Sequence, residues 1–238
     1  MKRSPRSLAG QVFLLAALLS SVPTACLAAD RATRRLDELL QRTQVELESL
    51  QTDPARAIPA EVLREAKGLV VLRETRAGFV LGARRGTGVV LLKEQGRWGL
   101  PRFVSASEGS IGLQAGWQKA TFYQVLMTDA AVAALNAENF RFGVGLRVTR
   151  GPRTVGDEAK TQSPGADVLV YADTGGLFGG VALEGGSLVL DQKSNRAYYG
   201  YAFGPVEPVV EDSIPAPARD FRKLILRLTA GPPTAPRR

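Results

Sequence analysis

After Gly68 the chain turns into short runs of β-branched and apolar residues broken by glycine, and no other feature restricts its fold as strongly. Runs at residues 69–73, 78–83, 88–93, 98–105, 110–117 and 121–127 fit six strands into about 60 residues. Connections this short leave no room for crossover helices, so neighbouring strands are expected to be antiparallel. Residues 142–149, 168–172, 177–183 and 187–190 supply further strands, with a polar loop or hairpin over 151–165. The fold class that follows is α+β: a twisted, glycine-rich antiparallel β-barrel or sandwich with flanking N-terminal and C-terminal helices.

The helices lie mostly outside this β-rich body, which spans residues 53–204. Over residues 30–52, Leu36, Leu39, Leu40, Val45, Leu47 and Leu50 recur at mostly helical spacing, and Arg31, Arg34, Arg35 and Arg42 cluster towards the start. This predicts an amphipathic helix ending before Asp53-Pro54. A short second helix has Pro59 in its first turn, Glu61 early and Gly68 as its stop. Asp129 is placed to cap a helix running to Ala137. Residues 205–238 form a proline-rich tail with one helix over 218–228, whose stripe is Phe221, Leu224, Ile225 and Leu228; residues 231–238 are expected to be disordered.

Residues 1–29 have the pattern of a secretory signal peptide: a basic start through Arg6, an apolar core at 12–19 too short to span a bilayer, and small residues from Thr24 to Ala29. Cleavage after Ala28 or Ala29 discards Cys26 and leaves a protein exported to the periplasm. The alternative keeps Cys26 as a lipidated N-terminus that tethers the domain to a membrane, although Pro23 stands where such sites usually carry leucine. Removing Lys2, Arg3 and Arg6 leaves 28 basic against 23 acidic residues, a mature net charge of +5.

Histidine is absent, which excludes imidazole as base, phosphoryl carrier or metal ligand, and with it every Ser-His-Asp or Cys-His site. A single cysteine excludes an intrachain disulfide and multi-cysteine zinc or iron–sulfur centres, so any metal site would need oxygen ligands. Gly86-Thr87-Gly88 has no third glycine at dinucleotide spacing, and no Gly-Lys-Ser/Thr occurs; it reads as a turn between two strands. The carboxylates Glu108, Asp167, Asp173, Glu184 and Asp191 are scattered, and Glu184 reads as a structural acceptor at a bend. No catalytic residue, cofactor or metal site is assigned, and a non-enzymatic protein is expected.

What remains is a basic tract, Arg73, Arg76, Arg84, Arg85, Lys93, Arg97 and Arg102, placed mostly at predicted strand ends. It reads either as solvated surface or as an anion-facing patch. Lipid headgroups suit it better than nucleic acid, because the chain is exported and lacks interleaved aromatic platforms. The first helix has the same ambiguity: its stripe can pack on the body or lie in a membrane interface.

Several ordered motifs carry a family resemblance. Ile58-Pro59-Ala60-Glu61-Val62-Leu63, Ala66-Lys67-Gly68-Leu69, Ala77-Gly78-Phe79, Gly86-Thr87-Gly88-Val89-Val90 and Trp98 with Pro101 resemble the opening of the SYLF domain. Gly112-Leu113-Gln114-Ala115-Gly116, Gly151-Pro152, Tyr171, the run from Gly176 to Gly185 and Asn195-Arg196-Ala197-Tyr198-Tyr199-Gly200 follow in the same order. One departure is Ala120-Thr121, where the family usually has Thr-Asp. The resemblance implies a non-enzymatic domain that binds membrane lipids, including phosphoinositides in eukaryotic members, with help from an N-terminal amphipathic helix. It also implies actin bundling in some fungal relatives, which is not expected of an exported protein.

The residues expected to contact anionic phospholipid are therefore Arg34, Arg35 and Arg42 with Leu36, Leu39 and Leu40 inserting from the first helix, and Arg84, Arg85 and Lys93 from the strands. The rival expectation is an envelope structural or protein-interaction module, in which the helix is internal packing and a sheet edge takes an unknown protein partner.

Overall fold

The computed structural model describes residues 24–78, 81–111, 116–137, 140–141, 145–151, 165–172, 187–200 and 213–230. Outside them lie most of the leader, Glu184 and Asp173, the strand expected at 177–183, most of the 151–165 loop, the Gly112–Ala115 part of its motif, and the chain end after Ala230.

A first helix, α1 (Thr24–Thr52), is followed by α2 (Ala60–Glu65), β1 (Gly68–Gly78), β2 (Leu81–Glu94), β3 (Arg97–Trp98), β4 (Arg102–Ile111) and β5 (Gly116–Leu126). Then come α3 (Asp129–Asn136), β6 (Phe140–Arg141), β7 (Val148–Arg150), β8 (Val168–Ala172), β9 (Ser187–Leu190), α4 (Gln192–Tyr199) and α5 (Ala216–Thr229). The strand order is β6-β9-β4-β2-β1-β5-β8-β7, with β3 paired to the end of β2. Every pairing is antiparallel except β7 with β8.

Helix α3 packs on both β5 and β9, four places apart in that order, so the sheet curls around it into a half-barrel. Alternation along each strand divides the side chains between two cores. Val70, Leu72, Val90, Leu92, Val104, Phe122 and Leu126 face α3 on the concave side. Leu69, Val71, Val89, Leu91, Phe103, Tyr123 and Val125 face outward, where α1, α2, α4 and α5 cover them.

The short strands read from the sequence are pieces of longer ones. The runs at 78–83 and 88–93 belong to one strand, β2, and Gly86-Thr87-Gly88 is its middle, not a turn. Gly86 pairs with Glu74 and Ala106, and Gly88 with Leu72 and Val104. A Cβ at Gly88 would lie 2.1 Å from the Val71 carbonyl oxygen, so this glycine marks a close backbone approach. The basic residues near it are consequently inside strands and not at their ends.

Local chemistry sets the helix ends. The Gln51 side chain bridges the α1–α2 turn, accepting from the Ile58 amide at 2.8 Å and donating to its carbonyl at 3.1 Å. Thr128, one residue before the expected Asp129, is the cap of α3 and accepts from the Ala131 amide. Asp191 caps α4, and Gly200 ends it in the left-handed conformation at φ 81°. The motif around Asn195 forms this unanticipated helix. Asn195, fully buried, accepts from the Phe103 amide at 2.7 Å and donates to the Phe103 carbonyl at 3.0 Å, as a neighbouring strand would. Gly151 likewise fits its motif place: a Cβ there would meet the Tyr171 ring at 2.1 Å.

Candidate functional site

The first helix is part of the body. Leu40, Leu47 and Leu50 are at most 1% exposed in the outer core, beside Phe221, Leu224 and Ile225 of α5. Tyr198 donates its hydroxyl to Asp37, and Arg227 pairs with Glu48 at 3.1 Å. Burial, with Asp37 beside it, holds the Tyr198 hydroxyl well above its ordinary pKa and so keeps it a donor. Val45, counted in the stripe from sequence, is instead 63% exposed, because the buried face follows Leu36, Leu40, Thr43, Leu47 and Leu50.

Beneath α1, four successive cross-strand rows run along β2, β1 and β5. Two are apolar: Leu91–Leu69–Val125 and Val89–Val71–Tyr123. The next two are Thr87–Arg73–Thr121 and Arg85–Thr75–Lys119. Period-two alternation puts all four rows on the same face, so the apolar floor gives way to a checkerboard of cations and hydroxyls. There α1 no longer seals the sheet, and an open cleft of about 610 Å³ lies between them. Its helical wall is Arg35, Leu36, Glu38, Leu39 and Arg42, and its floor is the two polar rows with Glu74 and Ala120.

The cleft can hold an anion. Arg35, Arg42, Arg85 and Lys119 are exposed, and among the described residues the first three make no ion pair. Guanidinium groups and threonine hydroxyls are donors suited to the oxygens of a phosphate or carboxylate. At its closed end Glu46, one turn beyond Arg42, lies 3.4 Å from the Arg73 guanidinium and accepts from the Thr121 hydroxyl at 3.5 Å. Leu36 and Leu39 are half-buried against the outer core and give the wall an apolar component.

The expected contact residues thus separate. Arg35, Leu36, Leu39, Arg42 and Arg85 come together in the cleft. Leu40 does not insert anywhere while α1 is docked, since it is fully buried. Arg34 points away and pairs with Asp30 at 3.0 Å. Arg84 is placed only as a backbone position opposite Arg76 and Glu108. Lys93 lies eight residues from Arg85 along β2, about 26 Å at a strand's rise. It donates to the Arg64 carbonyl at 2.9 Å and sits 5.2 Å from the Trp98 ring centre, a structural role. Burial, with Lys67 nearby, lowers its pKa. Arg102 pairs with Glu94.

Lys119, Thr75, Thr87, Thr121 and Glu46 escaped the sequence reading. The signal for the four strand residues is register: Thr87 and Thr121 sit two places, and Thr75 and Lys119 four places, beyond the last apolar residue of their strand on that face, which shows only once β1, β2 and β5 are aligned. Glu46 joins them only through the docking of α1. Ala120-Thr121, the departure from the family's Thr-Asp, falls on the cleft floor, where α1 supplies an acid through Glu46. Cys26 lies in the first turn of α1, which continues as helix through the small-residue segment of the expected leader. Among the described residues no helix is long and apolar enough to cross a membrane.

The family model Ysc84, described as "Las17-binding protein actin regulator", matches residues 107–230. The human SH3 domain-containing YSC84-like protein 1 is 32% identical over 177 residues, covering 72% of this chain and 52% of its own. The bovine protein of the same name is 34% identical over 150 residues, 61% of this chain and 44% of its own. LAS seventeen-binding protein 3 of Saccharomyces cerevisiae (strain ATCC 204508 / S288c) is 31% identical over 150 residues, 61% of this chain and 33% of its own. The chain therefore spans about half the length, or less, of these relatives. No solved structure matches it. With a half-barrel carrying α1 and α5 on its outer face, and with matches over more than half its length, this chain belongs to the Ysc84 family, whose domain is also called SYLF.

Proposed function

We propose that this is an exported, non-enzymatic protein that binds anionic phospholipid, with the headgroup in the cleft between α1 and the sheet. The observation that carries the reading is the checkerboard of Arg73, Arg85 and Lys119 with three threonines, overhung by Arg35 and Arg42. Basic side chains near an anionic bilayer contribute roughly 1 kcal/mol each, and the attraction falls off within a Debye length. Leu36 and Leu39 border the same opening and suit the apolar part of a lipid. The chain's leader-like residues 1–29 support export to the periplasm, and its lack of histidine supports a binding role over catalysis. The Las17 binding and actin regulation in the family description belong to partners that an exported protein would not meet.

In this mechanism α1 is a fixed wall. It binds without leaving the body, because detaching it would expose Leu40, Leu47 and Leu50. The test is co-sedimentation of the chain from Asp30 onward with phosphatidylcholine vesicles and with vesicles that also contain phosphatidylglycerol, across a salt series. Binding is expected to the anionic vesicles alone, to weaken with salt, and to fall about tenfold or more in Arg42→Glu and in Arg85→Glu. Salt-insensitive binding, or binding by both variants as tight as that of wild type, overturns the cleft as the headgroup site. No binding by any form transfers the argument to an envelope protein partner. Mass spectrometry of the native N-terminus distinguishes cleavage after Ala28 or Ala29 from lipid on Cys26.

A further inference from the structure

The stripe of α1 that walls the cleft, Arg35, Leu39 and Arg42, continues one turn further to Glu46. The Glu46 carboxylate spans Arg73, at 3.4 Å, and the Thr121 hydroxyl, at 3.5 Å, both on the cleft floor. A carboxylate held between a guanidinium and a hydroxyl is what a bound anion would offer the same two groups. Both members of the ion pair are mostly shielded, their side chains 21% and 29% exposed, so salt screens it less than it screens the cations at the cleft mouth.

We propose that Glu46 is the site's resident counter-ion: it occupies Arg73 and Thr121 in the empty cleft, and an incoming anion must compete with it. This rests on the reading of the cleft as an anion site. The competition weakens attraction at the deep end of the floor, while Arg35, Arg42 and Arg85 at the mouth remain available to a first encounter. A headgroup phosphate that reaches the floor then meets Glu46 already on Arg73 and Thr121, so its binding is sensitive to removal of that carboxylate.

The experiment uses vesicle co-sedimentation at fixed moderate salt with phosphatidylglycerol–phosphatidylcholine vesicles, on wild type, Glu46→Gln, Glu46→Ala, Arg73→Gln, Arg85→Glu and the double variant Glu46→Gln/Arg73→Gln. Gln keeps an acceptor for Thr121, and Ala, a strong helix former, covers the case in which Gln disturbs α1; thermal melts confirm that each variant is folded. Both Glu46 variants are expected to bind about two- to fivefold more tightly than wild type. In the Arg73→Gln background the Glu46 change is expected to give no gain, which separates competition for Arg73 from a general change in net charge. Unchanged or weaker binding by folded Glu46→Gln and Glu46→Ala, or a gain that persists without Arg73, overturns the counter-ion role. If wild type binds and Arg85→Glu does not, that failure leaves the cleft reading standing. If Arg85→Glu binds as wild type does, or nothing binds, the cleft reading and the counter-ion fall together.

Discussion

The two halves of the α1–sheet interface are built on the same three strands and the same helix, yet one is closed and the other open. In the closed half Leu47 and Leu50 share one buried core with Val71, Val89 and Tyr123 and with Phe221, Leu224 and Ile225 of α5. In the open half Arg35 and Arg42 stand over Arg73, Arg85 and Lys119. Apolar side chains gain by excluding water and draw the helix down, whereas like charges on facing surfaces gain by keeping it. The lesson is that the closed half holds α1 in place so that the open half can stay unfilled by the protein itself.

The most severe way to break this comparison is to remove the shared helix. A chain begun at Ile58 lacks Leu40, Leu47 and Leu50 and uncovers the outer core, so it is expected to lose its cooperative thermal transition and to bind a hydrophobic dye. Within the intact chain, Leu47→Ala in the closed half should cost about 2–5 kcal/mol, read by chemical denaturation. Asn195→Ala leaves the Phe103 amide without its acceptor, while the Phe103 carbonyl keeps the Asp191 amide, and should cost roughly 1–3 kcal/mol by the same measurement. Tyr198→Phe deletes the hydroxyl bond to Asp37 that holds α1 near the cleft, with an expected loss of about 1 kcal/mol. At the other extreme, Arg85→Gln in the open half should leave stability within about 0.5 kcal/mol of wild type while weakening anionic vesicle binding. A stability loss at Arg85 comparable to that at Leu47 would abolish the distinction between the halves.

Much of the fold was legible before the structure. The strands around Leu69, Val89 and Val125, the helical stripe through Leu40 and Leu47, and the α5 stripe of Phe221, Leu224 and Ile225 all follow from side-chain period. Glycine misled where it stood inside a strand. Gly86 and Gly88 resemble turn residues in sequence, and only the packing of β1 against β2 shows that Gly88 is needed for close approach. Five expected contact residues do meet in the cleft, but Leu40, Arg34 and Lys93 are committed elsewhere, to the core, to Asp30 and to the Arg64 carbonyl.

That the chain is α+β, that α1 and α5 are amphipathic, that histidine chemistry is excluded, and that a motif series from Ile58 to Gly200 resembles one family can all be read from the order of the amino acids. These depend on residue type and local spacing, which the chain carries in one dimension. The docking of α1 on the half-barrel, and the floor that Arg73, Arg85 and Lys119 share with Glu46 at its closed end, arise in three dimensions alone. Strand register decides which residues of the cleft floor become neighbours, from Thr75 and Arg85 to Arg73 and Thr121, and register is set by how two faces of a sheet bury their apolar rows at once.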